Sequence, residues 1–499
     1  MSCDLDVAVV GAGLAGLAAA QELRRGGREV TVFEAADAPG GRMRTLREDG
    51  YVVDTGAEQI SARGYRATWQ LLRRAGLAPY DVHGIGRPLG VWRAGRPRNG
   101  VGEPVAVLTG AGLAPAARPS LARFLAWTGR HRAALDHDHP EDTPLGSATV
   151  RDLADRYHPD LYDHLLHPLS AAFFGWDPER SAAAPLAALL LAVGPVSAWR
   201  TYRGGMDLLA RRIADGLDVR YDAAVQHVAD DGPHAALTVD GRTLTARAVL
   251  LAVPAPVAAR LQPHPADDAA GYLHASTFRP MLKVSCALDR PLAPRGGGYL
   301  LLTPGCEGED VLACVVADHV KCPDRAPAGR GLVSLLAAPG RVPELAAADD
   351  ESVVRRTTTA AERYVPGLRG ALVSARVHRW PHGMPELTPR ALALRAAFLR
   401  RPARSVEYAG DWLAARPSSE GAARSGALAA SRILAHLAAT ARGGAGTATA
   451  ARTGSASTAR TAGPGPGPGP DLTVAGHAAT GPAATAPAPA PVTAQEARA

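Results

Sequence analysis

Lysine is almost missing from this chain. Of its 55 basic residues only two, Lys283 and Lys321, are lysine and the rest are arginine, a bias that matches a GC-rich bacterial genome. Cysteine is scarce too: Cys3, Cys286, Cys306, Cys314 and Cys322 are an odd number with no CxxC pair, which excludes a disulfide framework and a zinc-ribbon pattern. Aromatic residues make up 5% of the chain and do not alternate with the cations. The stacking groove of a single-strand-binding protein is therefore absent, and nucleic acid is not an expected partner despite the net charge of +7. No apolar run reaches the length of a membrane span. The longest, PLAALLLAVGPVSAW from Pro185, is interrupted by Gly194 and Pro195 and reads as a buried helix in preference to a peripheral membrane contact. A secretory signal is not expected either, because Asp4 and Asp6 stand where positive charge is needed. The expected location is the cytoplasm.

What is present is an ordinary globular balance, 46% apolar and 21% charged over 499 residues, enough for more than one core. Residues 5 to 34 read as strand, glycine turn, helix and strand: LDVAVV, GAGLAG, LAAAQELRR and EVTVFE. This is a βαβ unit. From about 67 to 200 the pattern is mainly helical, and from about 263 it changes to short strands such as MLKVSCALDRPL and DVLACVVADHV, which predict an antiparallel sheet. Two later stretches, GMDLLARRIADGLDVRYDAAVQHVAD with LTARAVLLAVP and then VEYAGDW, look like returns to the first domain.

The expectation is therefore an α/β protein. Its Rossmann-like domain is assembled from residues 1–66, 201–262 and 400–437, and an α+β substrate domain is inserted between the segments as residues 67–200 (helical) and 263–399 (antiparallel sheet). Residues 438–499, with almost no large apolar side chains, are expected to form a disordered low-complexity tail.

Gly11, Gly13 and Gly16 form GxGxxG between strand and helix. The first permits the tight turn, the second lets the backbone approach a pyrophosphate, and the third lets helix and strand pack closely. Amides at the helix start face the phosphates, and Glu34, ending the next strand, is placed to accept hydrogen bonds from ribose hydroxyls. This much does not separate FAD from NAD. Two further clusters do. GGRMRT places Gly40, Gly41 and Arg42 where a guanidinium can pair with phosphate, followed by Asp54, Gly56, Ala57, Glu58 and Gln59 in VVDTGAEQI. In AGDWLAARPSSEGAARSGALAA, Asp411 ends a strand and Glu420, Gly421 and Ala422 open a helix. The carboxylate suits ribityl hydroxyls and the helix start suits the electron-rich side of a reduced flavin.

With VVGAGLAGL, VFEAADAPGGRMRT, VDTGAEQI, YRGGMDLLARRIA, VLLAVP and AGDW...SEGAARSG in that order, the chain resembles the flavin amine oxidase, protoporphyrinogen oxidase and carotenoid-desaturase superfamily up to about residue 437. The resemblance implies FAD held by Gly11, Gly13, Ala15, Gly16, Glu34, Ala35, Gly40, Gly41 and Arg42 at the nucleotide and phosphates, with Val225 at the adenine. Gly56, Ala57, Glu58, Gly410, Asp411, Glu420, Gly421 and Ala422 would complete the cofactor site. No cysteine lies in MPELTPRALALRAAFL, where some members attach the flavin, so the FAD is expected to be noncovalent. Lys283 matches the place where amine oxidases put a lysine that holds a water near flavin N5, and it is the candidate catalytic residue.

The implied activity is hydride removal from a C–N or C–C bond of a small organic substrate, with O2 or another acceptor reoxidising the flavin. The alternative is a protoporphyrinogen oxidase-like or desaturase-like dehydrogenase of a large apolar substrate. Pro417, Ser418 and Ser419 stand where amine oxidases place a cage aromatic, and Trp412 gives the GDW form of the desaturases. A flavin-binding protein without turnover is the third reading. Phe174, Trp176 and Trp380 are candidate substrate contacts, with Phe173, Phe174 and Trp176 reading first as core. No metal is expected: His137 and His139 in LDHDHPEDT read as an exposed acidic loop, and His164 and His167 as packing or surface residues.

Overall fold

The computed structural model describes residues 3–86, 88–103, 110, 112–136 and 138–453, with side chains up to residue 442. One compact unit spans Met1–Ala445, and a second, Gly446–Ala499, is described only where it ends the last helix.

Valine-rich strands buried on both faces need helices on either side, and the first sheet follows that rule. Its strands run in the order Asp218–Arg220, Val30–Phe33, Leu5–Val10, Arg242–Leu251, Ala235–Val239 and Val225–Asp230, with Val406–Tyr408 also pairing to Arg242–Leu251. The first four and Val406–Tyr408 are parallel, whereas the 225–251 strands form an antiparallel meander. All seven strands come from residues 5–33, 218–251 and 406–408. Helix Leu14–Arg25 packs its alanine-rich face on this sheet and against Ala429, Ala430 and Ile433 of the last helix, Ser419–Thr453.

The second sheet is ordered Leu372–Glu386, Thr277–Leu288, Gly331–Ala337, Leu312–Ala317, Leu300–Leu302, Leu89–Arg93 and Arg96–Val101. It is antiparallel except where Leu300–Leu302 runs parallel to Leu89–Arg93. The helices at 118–130, 150–154, 167–174 and 183–193 carry a separate apolar cluster that includes Phe124, Trp176 and Leu186.

Two expectations need correction. The 67–200 stretch is not uniformly helical: Val82–Gly84, Leu89–Arg93, Arg96–Val101 and Trp199–Tyr202 are strands, two of them in the second sheet. The signal was the Ala94–Gly95 turn, where φ of 49° and 75° closes a tight hairpin of the right twist. The expected disorder from 438 is also corrected as far as 453, because the last helix continues through this alanine-rich stretch to Thr453, alanine being the strongest helix former. Residues 454–499 and His137 lie outside the described residues.

No helix among the described residues is long and apolar enough to cross a membrane. The apolar helix Ala183–Val193 is buried through its first two turns.

Candidate functional site

The glycine turn shows why each residue type is needed. Gly11 has φ of 102°, and a Cβ there would lie 2.9 Å from the Ala252 carbonyl oxygen. At Gly16 a Cβ would overlap the Gly11 carbonyl oxygen and press on Ala252 and Val9, so Gly16 works through packing. At Gly13 a Cβ would meet nothing within 4 Å, so this backbone faces open space. Across that space lie Gly40 and Gly41, which join the turn through a hydrogen bond from Gly40 N to Ala12 O at 2.9 Å. Glu34 accepts from Ala12 N at 2.7 Å and Ala36 N at 2.9 Å, which fixes its carboxylate beside the turn. Its remaining lone pairs stay available to a ligand.

A cavity of about 690 Å³ connects these parts. Its wall contains Gly11, Gly13, Ala15, Glu34, Ala35, Gly40, Gly41, Arg42, Gly56, Ala57, Glu58, Val225, Gly410, Asp411 and Ala422, together with Lys283, Phe174 and Trp380. Most of the residues singled out from the sequence therefore converge, although they are scattered from one end of the chain to the other. The volume and lining suit a long dinucleotide: an acid at one end, a bare glycine cradle with Arg42 beside it, and Asp411 at a strand end. Arg42 pairs with Asp411 at 2.6 Å and donates to the Gly383 carbonyl at 3.0 Å.

Four assigned residues do not reach the cavity. Glu420 turns its carboxylate to Ala67 N and Thr68 N, at 3.1 and 2.9 Å. It thereby caps the helix Arg66–Arg74, whose first amides lack intrahelical partners. Gly421 is required because a Cβ would overlap the Arg416 carbonyl oxygen. Gly16 packs helix on strand, and Trp176 is core: it stacks on Phe174 at 4.7 Å and donates to the Pro385 carbonyl at 2.8 Å. Phe174 stands in front of it as cavity wall.

Lys283 lies in the strand Thr277–Leu288, with its ammonium donating to the Asp54 carbonyl at 2.5 Å and paired with Glu58. Trp380, on the neighbouring strand, donates to the Thr55 carbonyl at 2.8 Å, which locks the ring into the wall. Behind Glu58 is a group that the sequence reading missed. Lys321 pairs with Glu58 and with Asp318 at 2.7 Å, while Arg325 pairs with Asp54 at 2.8 Å. Burial raises the Glu58 carboxyl against the pull of Lys283 and Lys321. Burial works against a charged Asp318 too, but Lys321 and Lys283 outweigh it and hold that carboxyl well below its ordinary range. The scarcity of lysine was the one sequence signal for this group.

Next to Lys283 in register is His378, whose imidazole is lowered to about 4 by burial, then by Lys283 and Arg376. Folding therefore favours its neutral form. The stability it contributes is full above the ordinary value of 6.5 and is lost as pH falls through the window from 6.5 to about 4. Allowing for partial exposure, the loss amounts to about 2 kcal/mol. His378→Gln is expected to remove that part of the acid sensitivity, read as a smaller drop in the urea midpoint between neutral and acidic buffer than in the parent protein.

Among the described residues no cluster of three or more histidine, cysteine or acidic side chains is arranged to hold a metal ion. His139 lies 4.0 Å from Glu141. His164 is buried between Asp160 and Glu307, each at 3.0 Å.

Residues 14–434 match the family described as flavin containing amine oxidoreductase. The chain is 30% identical to coproporphyrinogen III oxidase of Mycobacterium bovis over 419 residues, covering 76% of this chain and 87% of that protein. It is 45% identical over 89 residues to AofH of Mycobacterium tuberculosis (strain CDC 1551 / Oshkosh), described as a flavin-containing monoamine oxidase. That stretch is 18% of this chain and spans only 19% of AofH. In fold it is similar to putrescine oxidase bound to putrescine, with a TM-score of 0.71 at 20% identity over 86% of this chain and 99% of that one.

Proposed function

Because this chain belongs to the flavin-containing amine oxidoreductase family and is an FAD-dependent oxidoreductase, we propose that it holds FAD noncovalently and removes a hydride from a C–N or C–C bond of a large, mainly apolar substrate that carries no ammonium group. The observation that carries the substrate class is that every carboxylate in the cavity wall is already engaged. Glu34 stands beside the glycine turn, where its free lone pairs serve the dinucleotide, Asp411 is paired with Arg42, and Glu58 with Lys283 and Lys321. No acid is left to anchor an ammonium group, while Leu169, Phe173, Phe174, Leu189 and Leu190 form an apolar wall. Trp380 faces a cavity whose further lining includes Pro417, Ser418 and Ser419 in place of a second cage ring. A broad or extended carbon-rich molecule of the porphyrinogen or polyene kind suits such a wall. The likeness to a coproporphyrinogen III oxidase over most of its length supports this reading.

When bound, the flavin supplies the hydride acceptor, and O2 or another acceptor takes the electrons onward. The chain's part is to bind, orient and exclude water. Gly11, Gly13, Gly40, Gly41 and Arg42 hold the phosphates, Glu34 the ribose, and Asp411 with Gly410 and Ala422 the ribityl and ring end. Lys283 presents an N–H donor at the reacting edge, and Trp380 and Phe174 position the substrate. Amine oxidation is the second reading, favoured by Lys283 on the cavity wall. Anaerobic titration decides between them. Porphyrinogens or polyenes are expected to bleach the flavin where aliphatic diamines do not, and acid precipitation is expected to release the flavin. Bleaching by diamines alone would overturn the apolar assignment.

A further inference from the structure

The only two lysines of the chain meet at one carboxylate. Glu58 follows the strand Tyr51–Asp54, Lys283 is in a strand of the second sheet, and Lys321 closes the short helix Asp318–Lys321. One carboxylate oxygen of Glu58 takes Lys283 and the other takes Lys321. Elsewhere the chain uses arginine, but a planar guanidinium cannot replace a compact ammonium at these two tight positions.

Stability alone gives little reason for such a group, since a buried ion pair is often no better than apolar residues of the same volume. Its arrangement has a direction. Lys283 and Glu58 line the cavity, whereas Lys321 is fully buried behind them. An ammonium has three donors. At Lys283 one goes to the Asp54 carbonyl and one to Glu58, leaving the third for whatever lies in the cavity.

We propose that Glu58, held from behind by Lys321, is a positioning residue that fixes the ammonium of Lys283 against the redox site. Lys321 therefore acts on that site without touching it. The proposal rests on the flavin reading above, and it assigns Glu58 a role toward Lys283 in addition to its place in the cavity wall.

Glu58→Gln alone would leave the buried cations Lys283, Lys321 and Arg325 facing only Asp54 and Asp318. The test therefore uses the charge-balanced pair Glu58→Gln with Lys321→Met, with Glu58→Asp as the conservative control. Isotope-labelled lysine gives two side-chain signals in the parent protein and one, from Lys283, in the paired variant. The paired variant is expected to take up FAD. Its Lys283 signal should shift and lose protection from solvent exchange, and the flavin midpoint potential should fall as the fixed positive charge near the reduced ring is loosened. Glu58→Asp is expected to restore part of both.

An unchanged, protected Lys283 signal in the paired variant overturns the proposal. So does a lost signal with an unmoved potential, which would make the group merely structural. Should the paired variant fail to fold, Glu58→Asp decides by the same two readouts, and parental values of both overturn the proposal. Parent protein that takes up no flavin defeats the flavin reading instead, and the lysine signals still decide whether Glu58 fixes Lys283.

Discussion

Gly16→Val is expected to abolish flavin uptake and to leave little soluble protein, whereas Gly13→Ala should fold normally and bind flavin weakly. The two glycines stand in one short turn but face different things. A side chain at Gly16 meets the Gly11 carbonyl oxygen, Ala252 Cβ at 3.1 Å and Val9 Cγ1 at 3.2 Å. All three contacts belong to strands of the first sheet or their ends, so the helix Leu14–Arg25 cannot yield without parting from the sheet that supports it. Forcing extra atoms into such packing costs about 3 kcal/mol, and here it also moves the amides that face the cofactor phosphates. At Gly13 the added methyl enters the cavity itself, so the loss falls on binding alone. Circular dichroism and flavin absorbance measured together separate the two; a Gly16→Val protein that is soluble and yellow would contradict the packing argument.

The second large effect is expected at Arg325→Met. Arg325 is fully buried, pairs with Asp54 at 2.8 Å and donates to Thr201 Oγ1 and the Tyr202 carbonyl at 3.0 Å each. Removing it strands a buried carboxylate whose nearest remaining cation is Lys321 at 3.8 Å. Breaking a buried pair from one side costs about 3–5 kcal/mol, visible as a lower denaturant midpoint. Asp54→Asn in the same chain should recover most of the loss, because the amide keeps a hydrogen-bonding oxygen without the charge. Failure of that recovery would mean that Arg325 matters through volume and not through charge.

Both predictions concern residues of which the sequence revealed unequal amounts. Gly16 was legible because its neighbours in the chain carry the whole pattern: strand, turn and helix are adjacent, and their periods of two and about four residues are local. The cavity wall was largely legible for the same reason, motif by motif. Arg325, Asp318 and Lys321 were not, since they meet Asp54 and Glu58 only when segments far apart in the chain come together. Glu420 shows a further limit. Its position at a helix start was readable, but whether its carboxylate served its own helix, a cofactor or the neighbouring Arg66–Arg74 helix depended on packing between distant segments. The hairpin at Leu89–Val101 was readable in principle from its Ala94–Gly95 turn and was obscured by the helical stretches around it.

The seclusion of Lys283 and Lys321, 4% and 0% exposed, reaches beyond redox chemistry. In the native fold no lysine side chain is offered to amine-coupling resins or to enzymes that tag proteins through lysine, and a small acylating agent or aldehyde reaches Lys283 only through the cavity. For this chain, the reactivity of the Lys321 amine is a gauge of opened structure and not of surface.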